Sequence, residues 1–263
     1  MNLKEVGDFS KTSKTSIGTI QKINFGFAQG CRDRCRIGSM ASFTIQREEE
    51  CGCETYQEAD SVLLRLQLTV QGYFDGLEKL SGNQLTQYDL SGPKRVMVEG
   101  DFGDWRISPQ ETEAYNQLAR VIVNASTDAF RRKRLSQYIE EANAPLLALL
   151  EKMEIVLRGN LQGILDNRKS RLYGYFQRLT FSENLSDFET GMATKIYYEE
   201  LDEIKKIEAQ IATSSTALRK ISEAHQVLFD NRRRLTGKDL KAFTKQYQSD
   251  LSDLIVAFNQ LSQ

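Results

Sequence analysis

The feature that most constrains the fold is a pair of long apolar stripes in the last third of the chain. They run through residues 204–228 and 240–261, with a break at Thr236-Gly237 between them. Steps of three and four residues alternate in both, as in helices that pack along their whole length against other helices. Residues 187–262 are therefore predicted to form two long helices folded back on each other. The stripe positions are Ile204, Ile207, Ile211, Ser214, Leu218, Ile221, His225, Leu228, Leu240, Phe243, Tyr247, Leu251, Leu254, Phe258 and Leu261.

Three earlier stripes with the same spacing predict three more helices. One covers residues 55–80, one begins at Ser108-Pro109-Gln110-Glu111, and one begins at Pro145. Ser108 and Glu111 have the spacing of a capping box, which satisfies free amides at a helix start. Only three prolines occur in the chain, so little interrupts these helices. We predict a mainly α fold, an elongated antiparallel bundle of about five long helices.

The first 53 residues have a different pattern. Residues 1–15 are rich in Lys, Ser, Thr and Gly, and we expect them to be mobile. Ile17, Thr19, Gln21, Ile23, Phe25 and Phe27 then lie at every second position, which predicts a strand, although a short helix is nearly as compatible. A second strand is predicted at 41–47. The sequence thus predicts a small, basic, strand-containing and cysteine-bearing head over residues 1–53, followed by a helical bundle over residues 54–263.

The bundle is interrupted once, at residues 81–108. Ser81-Gly82-Asn83 and Ser91-Gly92-Pro93 break the helical pattern. A short β-ribbon or an irregular loop is predicted near residues 94–108. Later in the chain, glycines at 159, 163 and 174 predict a kink or a close helix crossing, because glycine in a helix interior costs about 1 kcal/mol relative to alanine.

The charge is balanced overall but unevenly distributed. The net charge of −1 argues against whole-protein affinity for nucleic acid or acidic membranes. Residues 1–47 contain eight Lys and Arg against three Asp and Glu, a surface suited to an acidic partner or to the acidic remainder of the chain. Neither a secretory signal nor a membrane-spanning apolar run is evident. We therefore expect a cytoplasmic protein with reduced cysteines.

All four cysteines lie within the head, at Cys31, Cys35, Cys51 and Cys53. Four thiolates can hold a structural, tetrahedral zinc ion, and nearby arginines would stabilise those thiolates. The C-x3-C and C-x-C spacing differs from the paired C-x2-C of common zinc sites. Disulfides or redox switching, and unlinked thiols, are the alternatives. Structural zinc is the one cofactor that the sequence suggests.

Two basic runs are candidate phosphate-contacting sites. The same runs are also compatible with solvated helix faces and with helix C-termini, where cations interact favourably with the dipole. The single histidine, His225, lies on a predicted inward seam and is interpreted as a structural core residue. The runs comprise Arg131, Arg132, Lys133 and Arg134, and Arg232, Arg233 and Arg234.

The sequence favours a non-enzymatic protein. It contains no phosphate-binding glycine loop, no serine nucleophile elbow and no His-Glu-x-x-His motif. The leading hypothesis is an interaction or assembly protein that engages a protein partner or a second copy of itself. No small-molecule substrate is evident, and nucleic acid is disfavoured as a partner.

Two alternatives stay open. In one, the chain is membrane-active and inserts residues 16–30 or 94–108. An elongated bundle with a small head resembles helical pore-forming toxins in outline only, and the resemblance implies contact with a membrane surface. In the other, the cysteine head makes the protein a zinc- or thiol-dependent regulator that contacts nucleic acid through the basic runs.

Overall fold

The computed structural model describes residues 4–42, 44, 48–81, 101–102, 105–125, 131–181, 185–233 and 238–262. These residues are mainly helical, as predicted, with 3-10 helices at Ile20–Lys22 and Glu48–Cys51 and a π-helical turn at Val156–Leu161. Two strands of two residues each, β1 (Asp101–Phe102) and β2 (Trp105–Arg106), pair antiparallel. The α-helices are α1 (Lys4–Thr19), α2 (Phe27–Ser42), α3 (Glu54–Ser81), α4 (Pro109–Ala125), α5 (Arg131–Ile155), α6 (Gln162–Thr180), α7 (Asp187–Asp230) and α8 (Lys238–Leu261).

A long helical hairpin forms the spine of the fold. The π turn joins α5 to α6 in one continuous helical rod, and α7 runs antiparallel along that rod. Near one end Arg232 Nη2 lies 2.8 Å from Glu140 Oε1, and farther along Arg168 Nη2 lies 2.8 Å from Glu200 Oε2. Because α7 has 44 residues, it is about 66 Å long at 1.5 Å per residue. The hairpin is therefore elongated, as the sequence predicts.

The other helices pack around the end of this hairpin that contains α5, which we call the root. α1 lies antiparallel to α3, where Lys14 forms an ion pair with Asp75, and it also packs against α8. α4 packs on α5 and α3, and α2 packs on α3 and α6. One continuous core runs from Val6 in α1 to Leu251 in α8. Side chains from residues 4–53 and from residues 54–262 therefore share the same apolar interior.

The predicted strand at 17–27 is wrong, because these residues belong to the end of α1, a 3-10 turn and the start of α2. The expectation that residues 1–15 are mobile is also wrong from Lys4 onward, since α1 is a packed helix. The buried face of α1 contains apolar side chains and also Ser10, Ser13 and Ser16. Because serine is polar, these buried positions do not form an apolar stripe that the sequence alone would reveal. Of the predicted strand at 41–47, Ala41 and Ser42 end α2, while residues 43 and 45–47 lie outside the described part of the chain.

The predicted helix start at Pro145 is also wrong, because Pro145 lies inside α5. A proline removes one hydrogen bond from a helix interior and costs about 3 kcal/mol. Ala142, Leu146, Leu149 and Leu150 are all buried around it, so burial of a continuous apolar face offsets that cost.

The predicted insertion at 94–108 is described only in part. Residues 94–100, 103 and 104 lie outside the described residues. Asp101 pairs with Arg106 and Phe102 with Trp105, and β1 lies beside α3. This two-residue pairing does not support a ribbon over the whole of 94–108.

Candidate functional site

The end of the long hairpin carries the most exposed apolar surface of the described chain. We define the hairpin tip as residues 173–181 and 187–203. It lies beyond α2, whose contacts with the rod end near Arg168, and α6 continues for about 18 Å past that residue. Six of the eleven large hydrophobic side chains that are exposed in the described residues belong to it: Tyr173, Phe181, Phe188, Met192, Ile196 and Tyr198.

The local sequence explains this exposure. Ser186 caps α7 by accepting a hydrogen bond from the amide of Glu189, while the Glu189 carboxylate accepts one from the Ser186 amide, so the helix starts sharply here. Phe188, Met192 and Ile196 then follow at steps of four on one face of α7. This second stripe is exposed, whereas the stripe that begins at Ile204 is buried. An apolar stripe without a covering element is typical of an interaction surface.

Aromatic rings make the tip rigid enough to present a defined surface. The rings of Phe176 and Tyr197 have their centroids 5.8 Å apart, and those of Tyr173 and Tyr197 are 6.2 Å apart. A groove of about 260 Å³ lies between α6 and α7 beside these rings, with Phe181 and Tyr198 also in its wall. Aromatic side chains lose little conformational entropy when they bind, which suits them to contact surfaces.

The two sides of the tip have opposite charge. Residues 173–181 contain one basic residue, Arg178, and no acidic residue, whereas residues 187–203 contain six acidic residues and one basic residue. Some of these charges pair within the chain, as Arg168 does with Glu200. Within the described residues, Arg178 on α6 and Glu203 on α7 have no ion-pair partner. The tip is therefore apolar at its end and electrostatically polarised across its two helices.

The four predicted zinc ligands form two disulfides instead, Cys31–Cys53 and Cys35–Cys51. Cys31 and Cys35 are one helical turn apart on α2, and both bridges tie this helix to the segment that precedes α3. Gly52, between the other two cysteines, has φ 63°, a left-handed conformation that favours glycine and allows the reversal. In this oxidised arrangement no sulfur is a thiolate, so zinc binding stays a prediction for the reduced chain.

Elsewhere the described residues hold no group of three or more His, Cys, Asp or Glu arranged to bind a metal ion. They also include no helix that is both long and apolar enough to cross a membrane. In the 16–30 segment, proposed as a membrane-inserting element, Ile17, Ile20, Phe25 and Phe27 are buried in the core. Most of the other such segment, 94–108, lies outside the described residues.

The two basic runs are near each other along the hairpin, at the start of α5 and the end of α7. The side chains of Arg131, Arg132, Lys133 and Arg134 lie outside the described part of the structure, as does Arg234 altogether. Arg233 is exposed. Arg232 donates to Glu140 and to the Phe229 carbonyl, at 2.8 Å each, and its guanidinium lies over the Phe229 ring. Arg232 therefore has a structural role at the end of α7, as the helix-dipole alternative predicts.

His225 is fully buried, which confirms its interpretation as a core residue. Burial lowers the pKa of its imidazole to about 3, so the ring is neutral in the folded protein at ordinary pH. Tyr73 and Asn143 are its hydrogen-bond partners. No carboxylate or thiol of the described residues hydrogen-bonds to this ring, so nothing here assembles a catalytic pair.

Comparison of the chain with protein-family models, with curated proteins and with solved structures gave no match.

The sequence did contain a signal for the hairpin tip that the pattern analysis did not use. Tyr173 and Tyr198 are both more than half exposed. The spacing of Phe188, Met192 and Ile196 shows a second stripe on the same helix as the buried seam. A helix with two apolar faces has more apolar surface than one bundle neighbour covers.

Proposed function

We propose that this protein is a non-enzymatic assembly protein that self-associates through its hairpin tip. The single observation that carries the proposal is the concentration of exposed large apolar side chains at that tip. Phe181 and Phe188 are each 76% exposed, at the end of a helical hairpin. Leaving such a patch in water is unfavourable by about 25 cal/mol per Å² of apolar surface, and association removes that cost.

Charge complementarity favours a second copy of this chain as the partner. In a two-fold symmetric dimer the same patch is present on both sides, so the basic α6 of one copy can lie against the acidic start of α7 in the other. Arg178 and Glu203, which have no described partner within the chain, would then acquire one. The described tip also has enough residues for one side of a standard interface, ~20–30.

The two disulfides are relevant to the cellular compartment of this assembly. Disulfides persist in oxidising compartments and are rare in the cytoplasm. Cys31–Cys53 and Cys35–Cys51 therefore support an oxidising compartment over the cytoplasmic location expected from the sequence.

The proposal is tested by light scattering and sedimentation of the oxidised protein over a range of concentrations. We expect a dimer that dissociates when Phe181→Glu and Phe188→Glu are introduced together, because each places a carboxylate in the apolar contact. Val256→Glu is the matched control, since Val256 is 56% exposed but lies on α8, away from the tip. It should leave the dimer intact.

Three outcomes would count against self-association through the tip. A wild-type protein that stays monomeric at high concentration would overturn it, as would a dimer that survives the double substitution. A monomer whose binding to lipid vesicles requires Phe181 and Phe188 would instead assign the tip to a membrane surface. Circular dichroism of each variant checks that the helices persist.

A further inference from the structure

A second surface, separate from the hairpin tip, lies where α2 crosses α6. A cavity of about 140 Å³ opens there, with three arginines in its wall, Arg34, Arg168 and Arg171, together with Tyr56 and Asn167. Since one water occupies about 30 Å³ of liquid volume, the cavity has room for several waters or for one small oxyanion group. Arginine, tyrosine and asparagine all offer hydrogen-bond donors to such a group.

The cavity depends on an unusually close helix crossing. Gly30 on α2 faces Ile164 on α6, and a Cβ at residue 30 would lie 2.2 Å from Ile164 Cγ2. Glycine therefore allows α2 to approach α6 closely enough for side chains of both helices to share one cavity. The Cys31–Cys53 disulfide, next to Gly30, ties the same part of α2 to the start of α3, which carries Tyr56.

One of the three arginines is fixed by the fold. Arg168 has a side chain only 15% exposed, with its Nε 3.3 Å from Asp33 Oδ2 and its Nη2 2.8 Å from Glu200 Oε2. These two carboxylates offset its charge and hold the guanidinium in place. Neither carboxylate belongs to the cavity wall, so Arg168 presents an oriented guanidinium group there whose own charge is already offset.

The other two arginines differ from Arg168 in their surroundings. Within the described residues neither Arg34 nor Arg171 forms an ion pair. Arg34 Nη2 lies 3.9 Å from Cys31 Sγ, and its guanidinium is 5.9 Å from the centre of the Tyr56 ring. Two positive charges that converge on one cavity without an acidic counterpart repel each other, and a bound anion would relieve that repulsion.

We propose that this cavity binds the dianionic oxyanion group of a phosphate monoester or of inorganic phosphate. Two unpaired guanidinium groups match the charge of about −1.5 to −2 that a phosphate monoester carries near neutral pH. Arginine binds phosphate oxygens in a bidentate geometry that a single-point cation does not provide. Arg34 and Arg171 supply the charge, and Arg168 supplies a preoriented donor between them.

The experiment is isothermal titration of the oxidised protein with inorganic phosphate, at mildly alkaline pH and constant ionic strength. We expect saturable binding of one phosphate per chain. Arg34→Gln and Arg171→Gln should each raise the Kd by roughly tenfold or more, because each removes a charge-assisted hydrogen bond. Arg120→Gln is the control, since it removes an exposed positive charge from α4, a helix that contributes no residue to the cavity wall or to the hairpin tip.

Acetate in the same titration separates a dianion site from a general carboxylate site, and it should bind at least tenfold more weakly than phosphate. No saturable phosphate binding, equal binding of acetate, or an equal loss of binding in Arg120→Gln would each overturn the proposal. All variants leave the apolar residues of the hairpin tip unchanged. The oligomeric state of each variant, measured in the same samples, therefore shows whether a loss of phosphate binding occurs without a loss of the proposed self-association.

Discussion

Tyr73 and His225 are 152 residues apart in the chain, yet Tyr73 Oη lies 2.6 Å from His225 Nε2 in the core. On the other side of the ring, Nδ1 is 2.9 Å from Asn143 Oδ1. A neutral imidazole with its hydrogen on Nδ1 satisfies both contacts, because Nδ1–H donates to Asn143 and Nε2 accepts from the Tyr73 hydroxyl. Three helices, α3, α5 and α7, are thereby joined by one buried polar chain.

Tyr73→Phe should destabilise the protein by about 1–3 kcal/mol, because it leaves the buried Nε2 of His225 without a donor. Urea unfolding followed by circular dichroism measures this change. Tyr198→Phe removes a hydroxyl from a residue that is 56% exposed, and it should change stability by less than about 0.5 kcal/mol. Equal effects of the two substitutions would contradict the buried hydrogen bond.

Acidification should destabilise the protein through His225. Its pKa is 6.5 in the unfolded chain and about 3 in the folded one, so between these values the unfolded state binds the extra proton. The stabilisation is fully present above pH 6.5 and is lost as the pH falls, by about 2 kcal/mol at about pH 5. Unfolding free energies measured across this pH range in wild type and His225→Gln test this attribution, since the stability of the variant should not fall with pH in the same way. If the stability of the variant falls as steeply as that of the wild type, another group is responsible.

Gly30→Ala should destabilise the protein by about 1–3 kcal/mol, because the new methyl group overlaps Ile164 and forces α2 away from α6. Gly38→Ala on the same helix is the matched control. A Cβ at residue 38 meets nothing within 4 Å, so this change should be neutral or stabilise the helix by up to about 1 kcal/mol. Because the new methyl group meets the Ile164 side chain, Ile164→Ala should reduce the cost of Gly30→Ala in a double-mutant cycle.

Peptide mapping without reduction should recover the pairs Cys31–Cys53 and Cys35–Cys51. Reductant opens both bridges and should then lower the unfolding free energy of the wild type by more than about 3 kcal/mol, the entropic estimate for the loop of 22 residues alone. A variant with serine at all four positions should not respond to reductant. Zinc analysis of the reduced wild type tests in parallel whether the same sulfurs then bind a metal ion. Adjacent pairing of Cys51 with Cys53 would contradict the fold of the head.

Much of the bundle could be predicted from the sequence because the buried residues of a helix recur with helical periodicity. Every predicted seam residue of α7, from Ile204 to Leu228, is buried, including the polar Ser214 and His225. The capping boxes at Ser108 and Ser186 also begin their helices as their spacing indicates. Both signals are local, since they depend on residues one or two turns apart.

The parts that could not be predicted depend on contacts between distant segments. α1 has serines on its buried face, where it packs against α3 and α8. A hydropathy pattern shows neither these neighbours nor the burial of small polar residues between them. Pro145 stays inside α5 because neighbouring helices bury its surroundings. The cysteine pairing likewise depends on how the 3-10 turn at Glu48–Cys51 returns to α2, and spacing alone left zinc, disulfides and free thiols open.

The π turn at Val156–Leu161 sets which way the hairpin tip faces. It contains Gly159 and joins α5, in the root, to α6, which carries one side of the tip. A π turn accommodates one residue more than an α-helical turn, and each residue of an α-helix corresponds to about 100° of rotation. A regular α-helix that kept the extra residue would turn Tyr173 and Phe181 by about 100° relative to the root, whereas deleting one residue here would restore regular winding and leave them on their present face. The direction in which the side chains of the hairpin tip point therefore depends on the winding of a single turn that lies more than ten residues before them.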